Sequence, residues 1–348
     1  MSEWQLKVEL IKKLAESRPV KVRRPVNFDP SDENWFLPWE DYRTNDREIF
    51  KLHDVNVTDK GVAFYLLKKF DKAFVTSQLV KKYDKLYLLK VNLFYKKVFA
   101  GAEETCVLVF DPWSARNYYH WVIDALPRLF IIREQLRDNI VLLPRNARRY
   151  MYESVRLFSP RATLELKKHT YARVKQLCLP RPVADSGRHD GTVLLELKKF
   201  ILSALDGKNH EGTAGDRIYV SRANQHSRKI SNEQEVRELL MKYGFNVVHF
   251  ENMNFAGQVS VMRNARYVVS SHGANLTNIL FMRENGKVLE INKNVSPNLC
   301  YYSLASSIDL EYYYQFCPIA CNGPDHDNNA DLIVDIGKLQ ENVEAMLN

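Results

Sequence analysis

Residues 267–280 have the sequence YVVSSHGANLTNIL, and this stretch decides the predicted fold. Its first three residues are aromatic or β-branched, which is typical of a short buried strand. Small and polar residues, Ser270 to Gly273, then interrupt the apolar run. Leu276, Ile279 and Leu280 follow at the spacing of one helical face. The stretch therefore predicts a strand that passes through a tight turn into a helix.

The same alternation extends to both sides of this stretch. Apolar runs of strand length alternate with amphipathic segments of about ten residues, which predicts a parallel sheet covered by helices. Ser231 and Gln234 have the spacing of a capping box, Gly244 ends a helix and Asn254 begins the next. The predicted strands are 218–220, 247–250, 267–269, 288–291 and 310–316, and the predicted helices are 231–243, 254–262, 274–280, 299–308 and 330–347.

Parallel sheets of this kind bind ligands at the carboxyl ends of their strands. One such end is followed by Ser221 and Arg222, and Arg228 lies in the same loop region. The guanidinium groups of these arginines could bind a phosphate, since a guanidinium pairs well with phosphate oxygens. Another is followed by 270–278, where a helix start offers free N–H groups to an anion and His272 can donate. Glu290, near a third strand end, could accept from ribose hydroxyls. Each residue has an alternative role. His272 would be a buried histidine in a tight turn, Arg228 would be an exposed charge in a loop, and Glu290 would pair with a nearby lysine.

The first half contains a second polar constellation. Residues 117–134 predict a helix that Pro127 should kink or break, and His120 and Asp124 share one of its faces. An imidazole beside a carboxylate is a plausible general base, and an internally bonded histidine is the alternative. Strands are predicted at 62–67, 106–110 and 140–143, and a helix at 192–205.

Three glycines among the ten residues 206–215 predict a linker. We therefore place one domain at 1–206 and a Rossmann-like domain at 216–348, with the last helix able to pack back on the first domain. A helix is predicted from Trp4 to Ala15. Its basic and apolar residues would suit an anionic membrane surface, and packing on its own domain is the alternative.

Composition narrows the class of protein. Hydrophobic residues make up 45% and charged residues 26%, as in ordinary globular chains. The formal net charge of +8 fits an acidic ligand or an anionic membrane surface, and a solvated basic surface is the alternative. Charges of both signs along the chain and the lack of a zinc finger argue against a nucleic-acid partner. No apolar stretch is long enough to span a membrane, and no signal peptide is recognisable. Five scattered cysteines favour a reduced, cytoplasmic setting.

A metal site is not expected. The motif Asp325-His326-Asp327 follows all the predicted strands and is interpreted as a surface turn. A metal-dependent transferase would need such a motif at a strand end near its substrate.

Three blocks together resemble glycosyltransferase family 61. They are 117–129 (NYYHWVIDALPRL), 219–222 (YVSR) with 228–233 (RKISNE), and 272–278 (HGANLTN). The blocks occur in the family's order and fall within about residues 105–315. Asn275 departs from the family, which usually has a second glycine there.

The resemblance implies an α/β fold of the GT-B-like type, with two Rossmann-like domains facing a cleft. It implies inverting transfer of a sugar from a nucleotide sugar, usually UDP-linked, to a glycan or glycolipid acceptor, without an essential metal or other cofactor. The compact bacterial members act in capsule or other surface polysaccharide synthesis, which would place the chain at the inner face of a membrane. Asp124 and His120 are the expected catalytic residues, and the expected donor-binding residues are Arg222, Arg228, His272, Gly273, Ala274, Asn275, Thr277, Asn278 and Glu290.

Two other functions fit parts of this pattern. One is a nucleotide-sugar-binding module without activity. The other is a nucleotide-dependent oxidoreductase on a doubly wound sheet, although the G-x-G-x-x-G fingerprint of such enzymes is missing.

Overall fold

The computed structural model describes residues 6–99, 104–207, 214–320 and 330–348. The chain divides into two compact units. The first comprises residues up to Pro19 and Arg43–Val193, and the second comprises Val20–Tyr42 and Leu194–Asn348. The predicted boundary at 206–216 differs from this division, which falls within a helix. The second unit also takes in Val20–Tyr42, a segment that the sequence analysis assigned to the first domain.

The described residues form sixteen strands. In chain order they are β1 (Lys7–Ala15), β2 (Pro19–Lys21), β3 (Asp41–Arg43), β4 (Arg47–Thr58), β5 (Ala63–Tyr65), β6 (Lys68–Lys69), β7 (Lys96–Phe99), β8 (Thr105–Val107), β9 (Ile140–Leu143), β10 (Ala162–Glu165), β11 (Thr170–Pro180), β12 (Arg217–Val220), β13 (Asn246–Val248), β14 (Tyr267–Ser271), β15 (Lys287–Lys293) and β16 (Glu311–Cys317).

The α-helices are α1 (Glu33–Glu40), α2 (Ser77–Lys82), α3 (Lys85–Phe94), α4 (Tyr118–His120), α5 (Leu126–Ile131), α6 (Arg149–Arg156), α7 (Gly191–Leu205), α8 (Glu233–Lys242), α9 (Phe255–Asn264), α10 (Cys300–Ser307) and α11 (Ile336–Leu347). A π-helical turn, Trp121–Ala125, joins α4 to α5. Short 3-10 helices span Pro30–Asp32, Asp71–Ala73, Arg133–Asp138, Phe250–Asn252 and Ala274–Phe281.

The second unit has the predicted parallel sheet. Its strand order is β13-β12-β14-β15-β16, and every neighbouring pair is parallel. All of β14 is buried, as expected for a strand covered on both faces. One face packs against apolar side chains of α8 and of α11, so the last helix belongs to this unit. This α/β architecture is compatible with a Rossmann-like glycosyltransferase.

Two details of this unit correct the prediction. Helix α8 begins at Glu233, and Asn232 occupies its N-terminal position without a side-chain cap, so the capping box at Ser231 is wrong. The segment after Gly273 is a 3-10 helix rather than an α-helix. By contrast, Asn254 accepts a hydrogen bond from the Gly257 N–H at 2.7 Å and begins α9 as predicted.

The first unit has a mixed sheet instead of a purely parallel one. The order β10-β9-β8-β11-β4-β5-β6 contains parallel pairs up to β11, and the long strands β11 and β4 are antiparallel. The predicted N-terminal helix is wrong, because Lys7–Ala15 is a strand paired with β4. The membrane contact inferred from that helix therefore loses its structural basis.

A buried histidine links the start of α4 to the segment before α7. The Tyr119 hydroxyl contacts the His189 Nε2 at 2.9 Å. Burial, helped by the charge of Arg188, lowers the pKa of His189 from its usual 6.5 to about 3. The folded protein therefore keeps His189 neutral at pH values where the unfolded chain already protonates it.

This shift predicts an acid-sensitive fold. As pH falls below about 6.5 the unfolded state binds the extra proton, so the free energy of unfolding drops by about 1.4 kcal/mol per pH unit. His189→Gln keeps an acceptor for Tyr119 but does not titrate. Urea unfolding at pH 7 and at about pH 5 should show that the free energy of unfolding falls less for the variant than for the wild type. Equal losses in both proteins would refute this account of His189.

Candidate functional site

The chain reverses its direction of winding across the second unit's sheet between β12 and β14. From β12 it crosses to β13 on one side, and it then returns to β14 on the other. Carboxyl ends that flank such a switch point form the usual ligand crevice of a parallel sheet. Arg222 follows β12 and His272 follows β14, and because the two strands are parallel neighbours both residues lie at this edge.

Arg222 packs directly against Gly273. A Cβ atom at Gly273 would lie 2.0 Å from the Arg222 Nη1 and 2.6 Å from its Cζ. Gly273 has an extended backbone with φ of 166°, so glycine is needed here for space and not for conformation. The loops after β12 and β14 therefore contact each other through the Arg222 guanidinium.

The Arg222 guanidinium is buried, but among the residues that the structure describes it has no ion pair. Its Nε donates to the Arg228 carbonyl oxygen at 3.3 Å and its Nη2 donates to the Ser227 carbonyl oxygen at 3.2 Å. Burial and the positive charge of Arg228 lower the pKa of Arg222 from its usual value. Since a buried charge is costly without a counter-charge, this position favours an anion from outside the chain.

Two further N–H groups of this region have no partner within the described structure. They are the Arg228 Nε and the Asn275 Nδ2, and both atoms are buried. Arg228 also has a left-handed backbone, with φ of 58°. Buried donors are nearly always satisfied in folded proteins, so unsatisfied donors beside two arginines indicate a site for an acceptor-rich anion.

His272 is held by a buried carboxylate. Its Nδ1 lies 2.5 Å from the Glu290 Oε1, and the other Glu290 oxygen accepts from the Tyr312 hydroxyl at 2.6 Å. Burial raises the pKa of Tyr312 well above its usual value, so its hydroxyl stays protonated and donates. The arrangement fixes the imidazole ring and leaves its Nε2 for a ligand.

The predicted contact between Glu290 and a ribose is replaced by this arrangement. Glu290 is 0% exposed, and both of its oxygens are engaged inside the protein. Its side chain therefore orients His272 and is not accessible to a ligand.

The turn after Gly273 is supported from beneath by buried side chains. The Tyr301 hydroxyl donates to the Gly273 carbonyl at 2.7 Å and lies 3.3 Å from the Thr277 Oγ1. The Asn278 Nδ2 donates to the Gln258 Oε1 at 3.0 Å. Thr277 and Asn278 are both fully buried, so they shape the turn, whereas Ala274 and Asn275 are only half-buried.

Substitution of Gly273 should disturb Arg222 without touching the arginine itself. In Gly273→Ala the added methyl group would force the guanidinium away from its position. We expect binding of an anionic ligand such as UDP to weaken by about tenfold or more, since a misplaced arginine loses its charge-assisted contacts. Titration calorimetry measures this loss.

Gly337→Ala is the matched control. A Cβ atom at Gly337 would lie 3.4 Å from the Asp335 Oδ1, an ordinary contact, within helix α11. That variant should bind as the wild type does and be slightly more stable. Equal binding by Gly273→Ala and the wild type would show that the position of Arg222 does not matter.

His120 and Asp124 form the second candidate site, in the first unit. The His120 Nδ1 lies 2.8 Å from the Asp124 Oδ2 and 3.3 Å from the Ser186 Oγ. Asp124 lies in the π-helical turn, a rare element that is frequent at functional sites. Burial raises the pKa of Asp124, and the hydrogen bond from His120 opposes the rise.

The geometry distinguishes the roles of these two side chains. Asp124 is buried and engaged with His120, while the His120 side chain is 18% exposed. A carboxylate at Nδ1 keeps the proton there and makes Nε2 the basic nitrogen. His120 is thus placed to accept a proton, and Asp124 is placed to orient it.

Pro127 does not break this segment. The Asn117 side chain begins α4 by accepting from the Tyr119 N–H at 2.8 Å, and Pro127 falls in the first turn of α5, where its missing N–H is tolerated. Nearby, Arg128 is almost fully buried and donates to the carbonyl oxygen of Pro180 at 2.7 Å. Arg128 therefore joins this segment to β11.

Several residues that hold the site in place were not predicted from the sequence. Glu233 accepts from the Ser221 Oγ at 2.5 Å and from the Tyr219 hydroxyl at 3.0 Å, and so anchors the turn before Arg222. Tyr301 and Tyr312 reach the site from distant parts of the sequence. Their tyrosine-rich segments signalled only a strand and a helix, so no local pattern could have identified them.

No group of three or more His, Cys, Asp or Glu side chains within the described part of the chain could hold a metal ion. The motif Asp325-His326-Asp327 lies outside the described residues. Cys106, Cys178, Cys300 and Cys317 are buried, and none of them forms a disulfide with another described cysteine. No helix among the described residues is long and apolar enough to cross a membrane.

Two comparisons with known proteins gave a match. Residues 118–289 match the model of the family described as Glycosyltransferase 61. A stretch of 97 residues is 32% identical to the EGF domain-specific O-linked N-acetylglucosamine transferase of Drosophila melanogaster. This stretch covers 27% of the chain and 18% of that relative, so the chain matches about a fifth of the relative's length.

Proposed function

Because residues 118–289 belong to glycosyltransferase family 61, we propose that the chain transfers a sugar from a nucleotide sugar to a hydroxyl acceptor with inversion at the anomeric carbon. The second unit carries the donor-binding groups, and the first unit carries the general base. The family match includes both His120 and His272.

The observation that carries the proposal is the uncompensated charge at the switch point. Arg222 is buried without a carboxylate partner among the described residues, and the Arg228 Nε beside it lacks a hydrogen-bond acceptor. The diphosphate of a nucleotide sugar supplies both the negative charge and the oxygens that these groups need. A neutral ligand would leave the two arginines unpaired.

The proposed reaction is a single displacement at the anomeric carbon. An acceptor hydroxyl oxygen forms a bond to the anomeric carbon while the bond from that carbon to the β-phosphate oxygen breaks. His120 takes the hydroxyl proton at Nε2, and Asp124 stabilises the resulting imidazolium. Arg222, Arg228 and His272 stabilise the negative charge that develops on the leaving diphosphate. The products are the inverted glycoside and the nucleoside diphosphate.

We assign UDP as the nucleotide and a glycan or glycolipid as the acceptor, in the synthesis of a surface polysaccharide at the cytoplasmic face of a membrane. The name of the Drosophila relative makes N-acetylglucosamine the first sugar to test. The arginines take the role that a divalent cation has in metal-dependent transferases. Transfer should therefore continue in the presence of EDTA.

The proposal is tested by incubating the protein with UDP-linked sugars and an acceptor pool. Release of UDP and labelling of the acceptor should both occur, and His120→Gln should abolish them without loss of UDP binding. Binding of UDP with no transfer to any acceptor would instead favour a non-catalytic nucleotide-sugar-binding module. A protein that binds no nucleotide sugar would refute both functions.

A further inference from the structure

Helix α3 has apolar side chains on two opposite faces. Leu88 and Val91 lie in a buried cluster of the first unit. Leu86, Leu89 and Leu93, at the spacing of one helical stripe, are exposed on the other face. An amphipathic helix of a globular protein normally keeps charged and polar residues at such outward positions. The outer stripe therefore has no role in the core.

The exposure continues beyond this stripe. Leu86 and Phe94 are each 74% exposed. Leu66 and Leu67, in the turn between β5 and β6, are exposed as well, and the Asn92 Nδ2 of α3 donates to the Leu66 carbonyl oxygen at 3.0 Å. This hydrogen bond places the turn beside the helix. We call the surface formed by Leu66, Leu67, Leu86, Leu89, Leu93 and Phe94 the α3 surface.

The net charge of the chain is concentrated in the sequence segment that contains the α3 surface. Residues 60–99 contain ten lysines and two aspartates, a net charge of +8, which equals the formal net charge of the whole protein. The other residues contain forty basic and forty acidic side chains and so balance. Within the described residues, several exposed lysines of this segment form no ion pair: Lys68, Lys81, Lys82, Lys85, Lys90 and Lys96.

From this combination we infer that the α3 surface docks on an anionic phospholipid bilayer. Leucine and phenylalanine side chains enter the boundary between headgroups and acyl chains, and the surrounding lysines attract the anionic headgroups. Helix α3 lies parallel to the membrane plane and does not span it. This site differs from the N-terminal segment considered in the sequence analysis, which is strand β1.

Other occupants fit the surface less well. A second copy docked face to face would bring the unpaired lysines of both chains together, which is repulsive. Single-stranded nucleic acid would use the lysines, but proteins bind it through aromatic side chains that stack on its bases. The α3 surface has five leucines and one aromatic side chain, Phe94. An anionic bilayer uses both the charge and the apolar side chains.

Sedimentation with vesicles tests the inference on the full chain. The protein should sediment with vesicles of phosphatidylcholine and phosphatidylglycerol, weakly or not at all with phosphatidylcholine alone, and less as salt is added. The double variant Leu93→Ser/Phe94→Ser should lower the partition coefficient by at least about tenfold for each side chain. The double variant Lys85→Gln/Lys90→Gln should lower it by about fivefold for each lysine.

Matched controls remove similar groups elsewhere. Met241→Ser/Val295→Ser replaces two exposed apolar side chains of the second unit, and Lys242→Gln/Lys338→Gln removes two exposed charges there. Both control pairs should sediment as the wild type does. All these positions are exposed, so the variants should fold, and a circular dichroism melting curve checks this.

The inference does not depend on sugar transfer. UDP binding by the α3-surface variants should equal that of the wild type, so a failure of nucleotide binding and a failure of vesicle binding are separate results. The inference is overturned if the wild type ignores anionic vesicles, or if the control pairs lose binding as much as the α3-surface pairs do. It is also overturned if Leu93→Ser/Phe94→Ser acts by converting a dimer into a monomer, or if RNA is retained and vesicles are not.

Discussion

Replacing Arg222 by methionine should raise the Kd for UDP by about 100-fold, because the variant loses a charge-assisted contact to phosphate. Methionine has a similar length and can lie in the same buried position, but it provides neither a charge nor a donor. Isothermal titration with UDP measures the change. The other side chains of the site, Arg228 and His272, would account for any binding that remains.

The same substitution should not destabilise the protein. The charge of Arg222 is buried without an ion-pair partner among the described residues, so an apolar side chain of similar size removes a cost of folding. We expect the free energy of unfolding in the absence of ligand to stay the same or to rise by up to about 2 kcal/mol. A gain in stability together with a loss of binding is characteristic of a residue kept for a ligand.

Arg217, at the start of the strand that Arg222 follows, provides the matched control. It donates to the Tyr243 carbonyl at 2.6 Å and lies over the Tyr267 ring, so its role is structural. Arg217→Met should therefore lower stability and leave UDP binding unchanged, the opposite of Arg222→Met. If Arg222→Met destabilises the fold and binds UDP as before, Arg222 is a structural residue too.

Asp124→Asn is the second substitution with a large expected effect. The asparagine side chain can still meet His120, but it no longer stabilises a proton at Nδ1 or a positive charge on the ring. We expect kcat to fall by about 10²–10⁴-fold, the usual contribution of a general base, with the Kd for UDP unchanged. Single-turnover transfer and UDP titration on the same sample separate the two quantities.

Ser186→Ala is the control for this experiment. Its hydroxyl also contacts the His120 Nδ1, but at the longer distance of 3.3 Å and without a charge. A loss of a few-fold in kcat is expected from it. Full transfer activity in Asp124→Asn would exclude the His120–Asp124 pair as the base, whatever the state of the donor site.

The sequence predicted the second unit well because local patterns determine it. Strand β14 begins with three apolar residues in a row, Tyr267–Val269, a pattern typical of a strand that is buried on both faces of its sheet. The contact between Arg222 and Gly273 then follows from topology, since neighbouring parallel strands bring their ends together. The chemistry of Arg222 and His272 could be proposed from their positions alone.

The first unit was harder to predict because distant segments decide its structure. The segment Lys7–Ala15 pairs with β4, some forty residues further on, and irregularities in the register disturb its alternation. Its lysines and leucines fit a helix about as well as they fit a strand, so pairing with β4 determines that the segment is a strand. In the same way, Phe36 joins the second unit by packing against Tyr302 and Tyr314.

The site differs from the prediction in the buried side chains that support it. Glu290 was a reasonable ribose ligand from its place near a strand end, but Tyr312 and His272 enclose it. Buried partners of this kind come from strands and helices far apart in the sequence. They become visible only when the packing of the sheet is known.

The most direct measurement combines a change of ligand with a change of protein. The Kd values of UDP and of uridine are measured for the wild type and for Arg222→Met. If the arginines at the switch point hold the diphosphate, the wild type prefers UDP over uridine by a large factor, and the variant loses about 100-fold of that preference while its affinity for uridine hardly changes. An unchanged preference for UDP in the variant would contradict the assignment of this edge of the sheet as the donor site.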